Sequence, residues 1–183
     1  MIDEKRLQNA FREIILALGD DPNREGLIDT PRRAAEMYLE QFEGMNYTNE
    51  EIADMFNKSF DGDYLTDSKN LVVVKDIDVF SHCEHHLALM YDMKVDIAYI
   101  PNGRVIGLSK IARIADMVSK RLQLQERIGN DILYIMKKIT NSNNIYVKIS
   151  GCHSCVTARG VKKRSVTVTY SKLGNNISDG VFM

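Results

Sequence analysis

The sequence predicts an α+β protein: an antiparallel sheet with two helices on one face, preceded by an N-terminal helical segment. Three observations lead there. Through Phe56 the apolar residues recur three and four apart, the period of a helix with one buried stripe. At Leu71 the pattern changes to β-branched runs and strict alternation, the period of a strand. From that point the order reads strand, strand, helix, helix, strand, strand. Residues 1–66 are therefore assigned to the helical segment and 67–183 to the sheet domain.

In the first helix, Glu4 to Leu18, the stripe is Leu7, Ala10, Phe11, Ile14, Ile15 and Leu18, and Gly19 ends it. DDPNREGLIDTP is turn chemistry, closing with Thr30 as the expected N-cap and Pro31 in the first helical position. The second helix runs to about Phe42 through Ala35 and Tyr38 and stops near Gly44. Thr48 and Glu51 form a capping-box pattern opening a third helix through Ile52, Met55 and Phe56. Helical packing or contact between subunits accounts for this part of the chain.

LVVVKDIDVF reads as a strand running into SHCEHH, and Lys94 to Ile100 as a second strand broken by Pro101, Asn102 and Gly103. Two helices follow, Ser109 to about Arg121 with stripe Ile111, Ile114 and Val118, and Gln125 to about Ile139 with stripe Ile128, Ile132, Ile135 and Ile139. Asn143 and Asn144 mark a turn. Ile145, Val147 and Ile149 alternate in a third strand, and Val166, Val168 and Tyr170 in a fourth. The tail from Asn175 is expected to fray.

With 24 Lys plus Arg against 25 Asp plus Glu, the 183-residue chain has no basic excess to attract nucleic acid or an anionic membrane. The N-terminus lacks a secretion signal, and no apolar run approaches the roughly 20 residues of a membrane span. Three Cys is an odd number, and each lies next to or two residues from a His, which favours metal or catalytic chemistry in a reducing compartment over disulfides. The expected location is cytoplasmic.

Ser81 to His86, SHCEHH, holds three of the four His and one of the three Cys; the rest lie in GCHSC as Cys152, His153 and Cys155. Cys83 and His86 are spaced CxxH, and Cys152 and Cys155 CxxC. Two sites fit this spacing. All four ligands would make a closed Cys3His zinc that staples two strand ends, whereas three would leave the fourth position to water, as catalytic zinc does. His85 and His153, each beside a proposed ligand, suit proton transfer near neutral pH, and equally suit support of the ligands.

Two further groups stand out. In GLSKIARI, Ser109 is the expected N-cap, which sets Lys110 and Arg113 on one face of the first helical turn. Cations there oppose the helix dipole, so the pattern fits either a bound anion or a solvated basic face. Arg159, four beyond Cys155, could add a third cation. Gln125 and Glu126 open the next helix, where a carboxylate is favoured anyway; its two oxygens also match the N–H and amine fork of a guanine edge.

CEHH, AYIPNGRVIGLSKIARI, RLQLQER and HSCVTARGV together resemble the GTP cyclohydrolase I family, and LGDDPNREGLIDTPRRAAEMY resembles its N-terminal helical signature. The resemblance spans about Leu7 to Val161. It implies the tunnelling fold, and Zn2+ on Cys83, His86 and Cys155 with water as fourth ligand. His85 and His153 would be acid and base, Glu126 and Gln125 would hold guanine and ribose, and Lys110, Arg113 and Arg159 would bind triphosphate. Ser109 would lie beside the ribose and assist the later rearrangement. The implied reaction opens the imidazole ring of GTP, releases formate and yields 7,8-dihydroneopterin triphosphate. The implied assembly is a homodecamer of two stacked pentamers with sites between subunits. Cys152 departs from the residue the family often carries there, and LALMYDMK, after His86, lacks the family's usual Pro and Gly. A related purine or pterin enzyme of the same fold, such as another cyclohydrolase or a deazaguanine reductase, and a non-enzymatic zinc-stapled oligomer are the alternatives.

Overall fold

The computed structural model describes residues 1–62 and 70–182; the boundary expected between residues 66 and 67 lies outside them. Asp3 caps α1 (Glu4–Ala17) by accepting the Arg6 N–H at 3.0 Å, and Gly19 follows at φ +85°. α2 (Thr30–Gln41) begins one residue earlier than expected, with Asp29 rather than Thr30 as N-cap and Pro31 in the first turn, where a missing N–H leaves nothing unpaired. Phe11 of α1 meets Tyr38 of α2 edge-on at 4.9 Å. α3 (Asn49–Phe56) opens with the capping box: Thr48 Oγ1 accepts the Glu51 N–H, and the Glu51 carboxylate accepts the Thr48 N–H at 2.8 Å.

A short ribbon pairs β1 (Ser59–Asp61) with β4 (Arg104–Ile106). The main sheet contains β2 (Val72–Cys83), β3 (Ala88–Tyr99), β5 (Leu122–Gln123), β6 (Ile145–His153) and β7 (Thr167–Leu173), in the order β5-β2-β3-β6-β7. All pairs are antiparallel except β5 with β2. β3 starts at Ala88, six residues before the expected Lys94, because LALMY continues the hairpin from Cys83; a bulge with Asp92 at φ +50° then resets the register.

α4 (Leu108–Ser119) and α5 (Gln125–Thr140) pack on one face of this sheet, with α3 against them. Gly107, not Ser109, is the N-cap of α4. Ile111, Ile114 and Val118 of α4, and Ile128, Ile132 and Ile135 of α5, are fully buried against Val95, Ile97, Val147 and Ile149. Burying each of these side chains is worth roughly 1.5–3 kcal/mol, which fixes both helices on the sheet. On the opposite face, Ala98 and Tyr146 are covered by Ile177 and Phe182. The tail is therefore anchored rather than frayed: Phe182 stacks 5.1 Å from Tyr146, and Lys172 pairs with Asp179 at 2.7 Å.

On β7 the half-buried residues Thr169, Ser171 and Leu173 alternate with exposed Val168 and Tyr170. Ser171 faces α5, where Gly129 allows strand and helix to approach: a Cβ there would meet Ser171 Oγ at 2.4 Å. No helix among the described residues is long and apolar enough to cross a membrane.

Candidate functional site

β2 and β6 both run antiparallel to β3. They are therefore parallel to each other and end on the same side, which is why SHCEHH and GCHSC meet. After Cys83 the chain turns tightly, with the N–H groups of His86 and Leu87 both bonded to Cys83 O. After His153 it turns into α6 (Ser154–Thr157), which carries Cys155. The ligand atoms of Cys83, His86 and Cys155 all lie within 4.8 Å of one another, and Cys83 Sγ is 3.8 Å from His86 Nδ1. Zinc bonds of 2.0–2.3 Å in a tetrahedron put neighbouring donors on the order of 3.5 Å apart, so two thiols and an imidazole at this spacing fit that ion. Burial and the adjacent Cys83 push the Cys155 thiol pKa up, while Arg159 draws it down. Cys152 is buried and lies outside the cluster; it precedes His153 by one residue in β6, so its side chain leaves the sheet on the other face.

The acid and base candidates flank this cluster. His85 is exposed, its Nδ1 3.7 Å from Cys83 Sγ. His153 is half-buried; burial lowers its pKa, with Glu126 acting in the opposite direction. Its Nε2 lies 2.9 Å from Gln125 Oε1. Gln125 and Glu126 reach this end of the sheet because β5, paired in parallel with His82 and Cys83, leads directly into α5. Glu126 is exposed in the first turn of α5, whereas the Gln125 side chain is buried.

The remaining cations fall into two places. Arg159 follows α6 and is exposed near Cys155. Ser109, Lys110 and Arg113 occupy the start of α4, whose other end connects through Arg121 to β5 beside the metal cluster. From Ser109 to that end the helix rises about 15 Å. One chain therefore separates the start of α4 from its own Cys83, His86 and Cys155.

Several residues at the site carried no sequence signal beyond charge or amide chemistry. Arg127 holds Glu84 through two nitrogens, at 2.6 and 3.0 Å. The Arg121 guanidinium bonds Gly44 O, Tyr47 O, Asn49 Oδ1 and Asp131 Oδ2, joining the helical segment to the sheet domain. His82, which had no assigned task, is buried against Phe42 with ring centres 4.6 Å apart, and burial lowers its pKa.

The family model described as GTP cyclohydrolase I matches residues 7–180. The chain is 60% identical over 169 residues to GTP cyclohydrolase 1 of Clostridium acetobutylicum, covering 92% of this chain and 87% of that one. It is 56% identical over 183 residues to GTP cyclohydrolase 1 of Clostridium botulinum (strain Loch Maree / Type A3), covering 98% and 93% respectively. Among solved structures, the archaeosine synthase QueF-Like in the apo form matches at a TM-score of 0.42 and 24% identity, over 57% of this chain and 95% of that one. The family match spans both the helical segment and the sheet domain, and includes Cys83, His86, Cys155, His153 and Glu126. The chain belongs to the GTP cyclohydrolase I family.

Proposed function

We propose that this chain hydrolyses the imidazole ring of the guanine in GTP, releases C8 as formate and closes a pterin ring to give 7,8-dihydroneopterin triphosphate. The observation that carries this reading is the meeting of Cys83, His86 and Cys155 with His85, His153 and Glu126 at one end of the sheet, in a member of this family. Cys83, His86 and Cys155 would hold Zn2+, which when bound supplies a water acidic enough to act as a nucleophile near neutral pH.

The protein's own side chains do the rest. Glu126 accepts two hydrogen bonds from the ring N–H and exocyclic amine of guanine, a pair that other purines do not present together. His153 and His85 exchange protons with the ring nitrogens as the C–N bonds to C8 break, consuming two waters before formate departs. Lys110, Arg113 and Arg159 neutralise the triphosphate, and Ser109 lies beside the ribose during the Amadori-type rearrangement.

The helix rise of about 15 Å between Ser109 and the metal end argues that Ser109, Lys110 and Arg113 serve the metal cluster of a neighbouring copy. A homodecamer of two pentamers with sites between subunits meets that need, and exposed Val166, Val168 and Tyr170 suit burial between copies. The three free thiols suit a reducing, cytoplasmic setting. Incubation of zinc-loaded protein with GTP should release formate and a pterin, fluorescent after oxidation, in equal amounts. Formate without pterin would assign a different cyclohydrolase product, and neither product from zinc-loaded protein would overturn the reading.

A further inference from the structure

Gln125 opens α5 with its side chain buried, 2% of the residue being exposed. Its amide nitrogen lies 3.0 Å from Ile149 O, 3.1 Å from Thr167 O and 3.3 Å from Thr169 Oγ1. Backbone carbonyls only accept hydrogen bonds, so the nitrogen must face them. The amide orientation is thereby fixed, and Oε1 is the atom turned to His153 Nε2 at 2.9 Å. An amide oxygen also only accepts, so Nε2 must carry the hydrogen. In a neutral imidazole the other nitrogen, Nδ1, then bears the free lone pair.

We propose that Gln125 is a positioning residue that holds neutral His153 as its Nε2–H tautomer, leaving Nδ1 as the atom that exchanges protons with substrate. The proposal rests on His153 acting as a proton-transfer group, as read above. It gives Gln125 a task other than contact with ribose: both amide hydrogens are engaged by β6 and β7, and the oxygen is engaged by the imidazole. The carbonyls of Ile149 and Thr167 belong to adjacent strands, so the pairing of β6 with β7 sets the amide and the amide sets the ring. The imidazole is held in place without a carboxylate behind it.

Magic-angle-spinning 15N NMR of histidine-labelled, zinc-loaded protein reads the tautomer directly. The chain has four His, and subtraction of a His153→Asn spectrum assigns the signals of His153. The expected result is a hydrogen-bearing Nε2 and a bare Nδ1 in the wild type. Gln125→Met, which lacks the acceptor, should give a mixture of tautomers and lower kcat about tenfold or more, with KM for GTP little changed. A wild-type His153 with its hydrogen on Nδ1 would overturn the proposal, as would a Gln125→Met enzyme with unchanged kcat and raised KM. The wild-type spectrum needs neither a folded variant nor turnover. An Nε2–H signal in protein that makes no formate from GTP would therefore sink the cyclohydrolase reading while leaving the tautomer assignment standing.

Discussion

Arg127 grips Glu84 through two nitrogens at 2.6 and 3.0 Å, tying the loop that carries His86 to the helix turn that carries Glu126. Glu84 has a depressed pKa because the Arg127 guanidinium bonds its carboxylate. Supporting contacts of this kind orient metal ligands. Glu84→Gln should weaken zinc retention about tenfold in competition with a chelator, and the charge-exchanged pair Glu84→Arg with Arg127→Glu should recover part of the loss. Unchanged retention in Glu84→Gln would limit the pair to surface decoration.

Cys152→Ser should keep both zinc and turnover, because its side chain lies on the face of β6 opposite His153. Cys155→Ser should lose zinc from the purified protein. Metal analysis of the two variants separates an open three-ligand site from a closed four-ligand one. Zinc loss in Cys152→Ser would restore the closed site.

His153→Ala should bind zinc normally and lose formate release by roughly 10²–10⁴-fold, the usual weight of a positioned acid or base. Single-turnover formate measurement with metal content determined on the same sample checks it. Full activity would remove His153 from the chemistry.

Lys110→Ala and Cys155→Ser should each be inactive alone yet regain activity when co-assembled. Random mixing leaves about a quarter of sites with both residues intact if the two come from different subunits. Activity after unfolding and refolding the mixture reads this out. No recovery would place both residues in one chain's site.

Arg121 bonds two backbone carbonyls, Asn49 and Asp131 while only 13% of its side chain is exposed. Arg121→Ala leaves the Asp131 carboxylate with hydrogen bonds from Asn49 and Gln123 but without its cation, and should cost about 3 kcal/mol, on the order of 10 °C in melting temperature. Arg121→Lys should recover little, since an ammonium cannot reach four directions from one plane. Calorimetry of zinc-loaded protein tests both.

The stripes of α4 and α5 were legible because burial is periodic: Ile111, Ile114 and Val118, then Ile128, Ile132, Ile135 and Ile139, are all buried as spaced, whereas of the stripe expected in α1 only Ile15 is buried and Ala10, Ile14 and Leu18 are exposed. The ligand types at Cys83, His86 and Cys155 were legible as well. Excluding Cys152 needed the strand, because CxxC spacing is the same on either side of a sheet. The N-caps moved from Thr30 to Asp29 and from Ser109 to Gly107, since capping depends on backbone angles that residue type only biases. The tail looked polar, yet Ile177 and Phe182 are enough to anchor it. The Glu84–Arg127 and Gln125–His153 contacts join residues 43 and 28 positions apart, and no local pattern marks such pairs.

The donors sit at the ends of β2 and just past β6, with β3 alone between those strands. A slip of one residue on either side of β3 would shift a donor by about 3.3 Å and turn its neighbours to the wrong face. One bulge in β2, around Asp76, and one in β3, around Asp92, fix the parity of that alignment. Metal uptake at these residues would therefore read out strand alignment: a subunit that held the ion would, by that fact, have passed inspection of its three central strands.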